Sequence, residues 1–397
     1  MNRPIELDAL AGARAQFPAL ERWTYLDVAG RGVLSREARA ALDSHLDERM
    51  MAGGDKARFF ELVETTRARF AQLIHAAPDE IAFAKNISEG LNMIATAFDW
   101  KRGDNVILCP ELEHPNNVYP WLNMQRYGLE VRTAAARDGH IPVDEMIARM
   151  DRGTRVVTAS TVTFAPGFRT DIETLGRACR ERDVMLLVDA AQSAGILETD
   201  VSRVHIDALA VSTSKGLLGL YGMGFLYCRR EWAERLIPAY LARFGVDLGD
   251  AHEATLGDHS FRFAPAARRF DLGNYNFAGC AAANASLGQI LEWGTSNIER
   301  HVCALARALA EGFLEMGLPV SGGAPGPQLA NIVTVGELSA DHYGTGDDRF
   351  NRLYEYLSAN RVKLSIRRGT LRFSCHVYNT MEDVERVLGL TRQFLAC

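Results

Sequence analysis

An acid and an amide follow a buried strand in the segment VDAAQSAG (188–195). The apolar run ends there in Asp189, and Gln192 lies three positions further on. At the carboxyl end of a parallel strand, a carboxylate points into the crevice in which α/β proteins bind ligands. The same carboxylate could instead cap the next turn, so this segment alone leaves a binding role and a structural role open.

A lysine closes a second apolar strand in the segment VSTSKGLLG (211–219). Lysine is rarely buried without a partner. A desolvated lysine amine has a lowered pKa and can act as the nucleophile that forms a Schiff base. Lys215 is therefore a candidate nucleophile, and Ser212 and Ser214 beside it could bond a phosphate. The alternative is a surface lysine on a turn.

A third polar group stands at a strand-to-helix junction in AKNISEGLN (84–92). A serine hydroxyl and free N–H groups at a helix start form a phosphate-binding cradle. Ser88 could provide that hydroxyl, or it could simply be the N-cap of the helix.

The elements that must position these side chains alternate between strands and helices. Continuous apolar runs predict strands that are buried on both faces of a parallel sheet, at 106–110, 155–160, 184–190, 208–212 and 223–227. Helical spacing of apolar residues predicts helices at 88–98, 117–127, 143–150 and 171–182. The alternation predicts an α/β layer with right-handed crossovers.

The chain divides into three parts. Residues 1–35 have short apolar runs broken by glycine and proline, which predicts an N-terminal arm that joins the small domain. Residues 36–275 hold the α/β pattern and form the predicted large domain. Residues 276–397 begin with a long helix of small residues and then read as a small C-terminal α+β domain.

Composition excludes several classes of protein. The 397 residues are 47% hydrophobic and 24% charged, as in ordinary globular proteins, and the net charge of -6 disfavours a nucleic-acid partner. The seven cysteines include no CxxC pair, so neither a metal site nor a disulfide framework is expected. No signal-peptide core and no apolar run of about 18 residues is present. We therefore expect a cytoplasmic protein with no membrane partner.

Taken together, these motifs resemble the fold-type I enzymes that depend on pyridoxal 5'-phosphate (PLP), in the class V aminotransferase family. That family includes cysteine desulfurases, selenocysteine lyases, kynureninases and isopenicillin N epimerases. The resemblance extends from TYLDVAG (24–30) to LRFSCHVYNTMEDV (371–384). It implies an α/β large domain with a mostly parallel seven-stranded sheet flanked by helices, followed by a small α+β domain.

The resemblance implies a role for each residue around the cofactor ring. Lys215 matches the lysine that forms the Schiff base and moves the Cα proton. Asp189 matches the acid that keeps the pyridine nitrogen protonated, and Gln192 matches the residue that bonds the phenolic oxygen. His114, in ELEHPNNVYPW, matches the residue that stacks on the ring.

The resemblance also implies the phosphate contacts. Ser88, Ser212 and Ser214 match hydroxyl donors, and Glu89 matches a position where the backbone N–H is the expected donor. Asn274, in RRFDLGNYNFAG, lies in the loop that reaches the phosphate of the neighbouring subunit. A homodimer with shared active sites is therefore implied.

Two arginines are expected to bind an amino-acid substrate. Arg372 matches the arginine that pairs with the α-carboxylate, for which a planar guanidinium is well shaped. Arg31 is the best candidate for a second anionic group, since the matching N-terminal loop borders the substrate in this family.

The sequence departs from the cysteine desulfurases at two places. The segment 359–374 lacks the persulfide-forming cysteine that these enzymes carry upstream of the arginine, and Cys375 follows Arg372 instead. Phe164 stands where many desulfurases have an asparagine. We therefore expect β-elimination by a carbon–sulfur lyase without a persulfide cysteine. The alternatives are an aminotransferase or an amino-acid epimerase, and more distantly a non-catalytic PLP-binding protein.

Overall fold

The structure is a computed structural model that describes residues 10–249, 261–339 and 344–397. The helices, numbered in chain order, are α1 (Arg36–Ala52), α2 (Lys56–Leu73), α3 (Ile87–Ala95), α4 (Tyr119–Met124), α5 (Val143–Ala148), α6 (Ile172–Arg180), α7 (Arg230–Ala233), α8 (Phe277–Trp293), α9 (Thr295–Glu315), α10 (Asp348–Ala359) and α11 (Met381–Leu395). The strands are β1 (Thr24–Tyr25), β2 (Ile81–Ala84), β3 (Asn105–Leu108), β4 (Glu130–Thr133), β5 (Thr154–Ser160), β6 (Met185–Asp189), β7 (Ala208–Ser212), β8 (Gly224–Cys228), β9 (Val246–Asp247), β10 (Arg262–Phe263), β11 (Ile332–Val335), β12 (Val362–Lys363), β13 (Ser365–Arg367) and β14 (Thr370–Ser374).

Seven of these strands form one sheet in the order β2-β8-β7-β6-β5-β3-β4. Strands β3 to β7 are parallel, whereas β8 runs antiparallel to its neighbours β7 and β2. The expected mostly parallel seven-stranded sheet is confirmed. The chain leaves β3 for β4 on one side and returns to β5 on the other, so the order reverses between β3 and β5. Such a reversal creates the crevice in which open α/β sheets bind ligands.

The strand pleat decides which side chains reach the site. Leu186 and Val188 belong to the apolar core on one face of the sheet, and Met185 and Leu187 to the core on the other face. Since successive side chains alternate between faces, Asp189 points to the same side as Met185 and Leu187.

Helix α3 covers that face with its N-terminus near the same edge of the sheet. Ala208 and Ala210 of β7 lie in the core under α3, and Ser212 continues their series. A Cβ atom on Gly90 of α3 would lie 3.0 Å from the Cβ atom of Ala210. The glycine thus allows a close approach that brings the start of α3 to Asp189 and Ser212.

The C-terminal part contains a small antiparallel sheet in the order β11-β14-β13. Strand β1 of the arm pairs in parallel with β12, and α8 packs against α1 and α2. The domain limits at residues 35 and 275 remain predictions. Within the described ranges, no helix is long and apolar enough to cross a membrane.

Candidate active site

A cavity of about 300 Å³ opens at the carboxyl ends of β5, β6 and β7. It lies beside the crevice between β3 and β5. The predicted site residues that line it are Ser88, His114, Asp189, Gln192, Ser212, Ser214 and Lys215. A larger cavity of about 440 Å³ lies among α1, α2 and α8, and none of the predicted site residues lines it.

Lys215 presents a poorly solvated amine to this cavity. In the part of the chain that the structure describes, the amine forms neither a hydrogen bond nor an ion pair. Burial lowers the pKa of Lys215 to about 8, against an opposing contribution from the Asp189 carboxylate. Arg372 and Arg367 lower this pKa further through their positive charges. The amine can therefore lose its proton close to neutral pH, as a nucleophile or a base must.

The N-terminal arm fixes the loop that carries this lysine. The backbone N–H of Gly32 donates to the carbonyl oxygen of Ser214 at 2.8 Å. A Cβ atom at position 32 would lie 2.4 Å from the carbonyl oxygen of Lys215. Only glycine fits there without displacing the lysine.

A buried histidine holds the same loop from the C-terminal part. The Nε2 atom of His376 lies 2.8 Å from the carbonyl oxygen of Gly216, and its Nδ1 atom accepts a hydrogen bond from the N–H of Val377. Burial lowers the pKa of His376 to about 4. The ring is therefore neutral at pH 7 and donates its Nε2–H to Gly216. Sequence reasoning missed this residue.

Asp189 and Gln192 meet at the floor of the cavity. Asp189 is 4% exposed, and its Oδ1 atom accepts from the N–H of Ala191 at 2.9 Å. Burial raises the pKa of Asp189, while Ala191 and the charge of Lys215 oppose that change. The Nε2 atom of Gln192 donates to the carbonyl oxygen of Ala29 at 3.2 Å. Its Oε1 atom is buried without a hydrogen-bond partner.

The phosphate-binding expectation at the start of α3 needs one correction. Asn86 is the N-cap, since its side-chain oxygen accepts from the N–H of Glu89 at 3.0 Å. The carboxylate of Glu89 accepts from the N–H of Lys85 and does not line the cavity. The N–H of Glu89 is therefore already used. The N–H groups of Ile87 and Ser88, in the first turn, lack intrahelical partners and face the cavity edge with the Ser88 hydroxyl.

The opposite wall of the cavity contains His114 and Phe164. Their rings meet edge to face with centroids 5.6 Å apart. The Nδ1 atom of His114 accepts a hydrogen bond from the N–H of Asn116. His114 is thus located on the loop after β3, across the crevice from Asp189.

Glu113, next to that histidine, is a buried acid that the sequence reasoning missed. Its carboxylate accepts from the N–H and the hydroxyl of Ser160 at 2.6 Å each, and from the side-chain amide of Asn117 at 2.8 Å. Burial and the nearby charge of Asp189 raise its pKa to about 7 in spite of these bonds. Glu113 ties the His114 loop to the end of β5.

Arg372 is buried beside the cavity and already has partners. Its guanidinium donates to the carbonyl oxygen of Phe164 at 2.9 Å and to the hydroxyl of Ser365 at 3.1 Å. The carboxylate of Asp27 lies 3.7 Å away. Burial lowers the pKa of Arg372 to about 10. A substrate carboxylate would share this arginine with Asp27.

Besides Glu89 and Arg372, two more predicted residues lie outside the cavity of this chain. Arg31 and Asn274 are both exposed and do not line it. The expectation for Asn274 concerns the neighbouring subunit. Its loop is anchored by the buried carboxylate of Asp271, which pairs with Arg67 at 2.9 Å and accepts from Tyr275 at 3.0 Å.

The sequence profile of the aminotransferase class-V family matches residues 44–344. The chain belongs to this family. This class-V chain is 28% identical to a probable cysteine desulfurase of Methanothermobacter thermautotrophicus, over 96% of the chain and 97% of the relative. It is also 28% identical to an uncharacterized aminotransferase of Bacillus subtilis, over 94% of the chain and 95% of the relative.

Solved structures share the class-V fold. The apo cysteine desulfurase of Thermococcus onnurineus NA1 matches with a TM-score of 0.82 and 25% identity, covering 99% of this chain and 98% of that one. A cystine C–S lyase in complex with its product cysteine persulfide matches with a TM-score of 0.81 and 22% identity, covering 94% of this chain and 98% of that one.

Class-V enzymes depend on PLP, and the cavity of this chain fits that cofactor. PLP has an aldehyde, a ring nitrogen, a phenolic oxygen and a phosphate. The cavity supplies an unpaired amine, a buried carboxylate, an amide with an unpartnered buried oxygen, and a hydroxyl-bearing helix start. The protein is a PLP-dependent enzyme.

Proposed function

We propose that the protein is a carbon–sulfur lyase that performs β-elimination on an amino acid with Lys215 as its catalytic base. The observation that carries the proposal is the unpartnered Lys215 amine, whose pKa is lowered to about 8 in a cavity without any cysteine in its lining. The bound PLP would supply an electron sink for the negative charge that develops at Cα.

The side chains at the floor of the cavity would hold the ring. Asp189 would face the ring nitrogen, where a buried carboxylate favours the protonated form. Gln192 would bond the phenolic oxygen through its amide, and His114 would cover the ring from the loop after β3. Glu113 would keep that loop in place through Ser160.

The hydroxyl groups and the start of α3 would hold the phosphate. Ser212 and Ser214 lie 3.2 Å apart through their hydroxyl oxygens. Together with Ser88 and the free N–H groups beside it, they provide neutral donors for an anion.

Lys215 would move the proton in the elimination. Its neutral amine accepts the proton from Cα, the bond between Cβ and sulfur breaks, and the electron pair leaves with the sulfur. Hydrolysis of the released three-carbon fragment then gives a keto acid and ammonia. Arg372 would orient the substrate by pairing with its α-carboxylate.

Direct release of the sulfur product is favoured by the hairpin β13–β14. Its turn consists of Arg368 and Gly369, with φ of 48° and 75°, as a tight two-residue hairpin requires. A mobile cysteine loop between these strands would need a longer connection than this turn. Cys375, after the hairpin, is buried, and burial raises the pKa of its thiol. These features support a reaction in which no sulfur acceptor is needed there.

A homodimer would complete the phosphate site. Asn274 is exposed on a loop with a buried anchor, and Tyr221 is 66% exposed although it lines the cavity. A second copy would cover Tyr221 and bring its own Asn274 to the phosphate. Light scattering should give a dimer mass, and mixing inactive K215A and N274D subunits should restore part of the activity. A monomer mass would contradict the shared site.

The proposed reaction is tested by measuring keto acid formed from sulfur amino acids such as L-cystine and L-cysteine. Wild type and K101A, which removes an exposed lysine, should form it at equal rates, and K215A should form none. Alkylation with iodoacetamide should leave the activity intact, because no cysteine takes part.

Full activity of K215A, or loss of activity on alkylation, would overturn the proposal. Transamination is the second candidate, supported by the name of the Bacillus subtilis relative. It would appear as conversion of the cofactor to its amine form, reversed by an added keto acid.

A further inference from the structure

One face of the hairpin β13–β14 carries two arginines. Ser365 lies opposite Arg372, and Arg367 lies opposite Thr370. Because side chains alternate along a strand, these four residues share one face. The hydrogen bond from Arg372 to the Ser365 hydroxyl, at 3.1 Å, agrees with this arrangement.

This face borders the candidate active site at both ends. Arg372 donates to the carbonyl of Phe164, whose side chain lines the cavity. In the turn, Arg368 donates to the carbonyl of Glu111 at 2.8 Å, on the loop that carries His114. Arg367 is thus located, along the hairpin, between Arg372 and the His114 loop.

Arg367 differs from Arg372 in lacking an acidic partner. Over residues 10–249, 261–339 and 344–397, no carboxylate pairs with it, and its guanidinium donates to the carbonyl of the adjacent Ile366 at 2.7 Å. Its side chain is half-buried. Its charge lowers the pKa of both Lys215 and Arg372. A partly desolvated cation beside a second cation gains more from an anion than a solvated one does.

The position of Arg367 suits the far end of a substrate. If Arg372 binds the α-carboxylate and Lys215 acts at Cα, a side chain extending from Cβ needs a wall of its own. Arg31, the candidate chosen from the sequence, is exposed and outside the cavity. Arg367 does not line the cavity either, but it is partly buried and shares the hairpin face of Arg372, which lies beside the cavity.

We propose that Arg367 binds a second anionic group of the substrate, so that the enzyme selects amino acids with an acidic side chain. This class includes cysteine thioethers whose sulfur substituent ends in a carboxylate. The proposal rests on the proposed function, in which an amino acid binds in this cavity beside PLP.

The test uses the PLP-loaded enzyme and pairs of amino acids with equal shape and unequal charge. L-Aspartate is compared with L-asparagine, and S-carboxymethyl-L-cysteine with S-carbamoylmethyl-L-cysteine. Binding is followed by the change in cofactor absorbance, which does not depend on turnover. The variants are R367Q, the charge-conserving R367K, and R368Q, a control that removes the adjacent charge.

Wild type and R368Q should bind the acidic member of at least one pair more tightly than its amide, by about tenfold to a hundredfold. R367Q should lose this preference while binding the amides unchanged, and R367K should keep part of it. Equally weaker binding of acids and amides by R367Q, or no preference for acids in wild type, would overturn the proposed role of Arg367 and leave the proposed function standing. If no amino acid changes the cofactor absorbance, both the proposed function and this inference fail.

Discussion

Replacing Arg372 with glutamine should raise the pKa of Lys215. The positive charge of Arg372 is one of the contributions that lower this pKa. The replacement also leaves Asp27 without its cationic neighbour, which lies 3.7 Å away. Asp27 favours the charged form of Lys215, so both consequences act in the same direction.

The expected decrease in the rate of Schiff-base formation follows from the fraction of the Lys215 amine that is neutral. With a pKa of about 8, roughly a tenth of the Lys215 amine is neutral at pH 7, compared with roughly 3 in 10,000 for an ordinary lysine. A rise of about one pKa unit in R372Q would reduce the neutral fraction about tenfold. Only the neutral amine reacts with the aldehyde of PLP, so Schiff-base formation should slow by the same factor.

The assay follows Schiff-base absorbance after PLP is added to the apoprotein, over a series of pH values. Ionisation of PLP itself is common to all variants, so differences between their profiles report Lys215. R372K should keep the wild-type profile because it keeps the charge, and R31Q should do so because Arg31 is exposed. An R372Q profile with an unchanged or lowered apparent pKa would refute the electrostatic account of the site.

Three further predictions concern the structure around the site. The pKa of His376 is about 4 in the folded state and 6.5 in an unfolded chain. As the pH falls through this range, the unfolded state takes up the proton first, so the free energy of unfolding of wild type should fall by up to about 3 kcal/mol relative to H376N. Parallel pH profiles of the two proteins in urea unfolding would contradict this. D271N removes the buried partner of Arg67 and leaves it only the half-exposed Glu64, 3.3 Å away. It should lower the free energy of unfolding by about 3 kcal/mol, and a loss below about 1 kcal/mol in urea titration would contradict a stabilising pair. G32A places a Cβ atom against the carbonyl of Lys215 and should weaken PLP binding in a fluorescence titration about tenfold or more. The control G389A on α11, with nothing within 4 Å of its new Cβ atom, should bind PLP like wild type.

The sequence did not predict β2 or the more exposed edge strand β4 of the central sheet. It predicted β3 and β5 to β8 because these strands are largely buried on both faces. Continuous apolar runs identify such strands without any knowledge of their partners. Asp189 is the last residue of β6, and Lys215 follows the end of β7 by three residues. Their place at one edge of the sheet therefore followed from strand position. The short strands β12 and β13 are close in sequence but have different partners, since β12 pairs with β1 and β13 with β14.

Contacts between distant segments could not be read from the sequence. Glu111 and Glu113 look alike in one loop, yet the first is exposed and the second is 3% exposed against Ser160. Asp27 and Arg372 come together only when the arm reaches the C-terminal sheet. The sequence suggested Ser88 as a possible N-cap of α3, but the N-cap is Asn86. Periodicity of apolar residues does not locate the first residue of a helix to within one or two positions.

Reduction followed by peptide mapping should show whether Lys215 holds the cofactor. The PLP-loaded protein is treated with borohydride, digested and analysed by mass spectrometry. The chain has five lysines, Lys56, Lys85, Lys101, Lys215 and Lys363, so the other four serve as internal controls. A reduced pyridoxyl group is expected on Lys215 in near-stoichiometric amount. A label on another lysine, or an unmodified Lys215 in a protein with the cofactor absorbance, would contradict it.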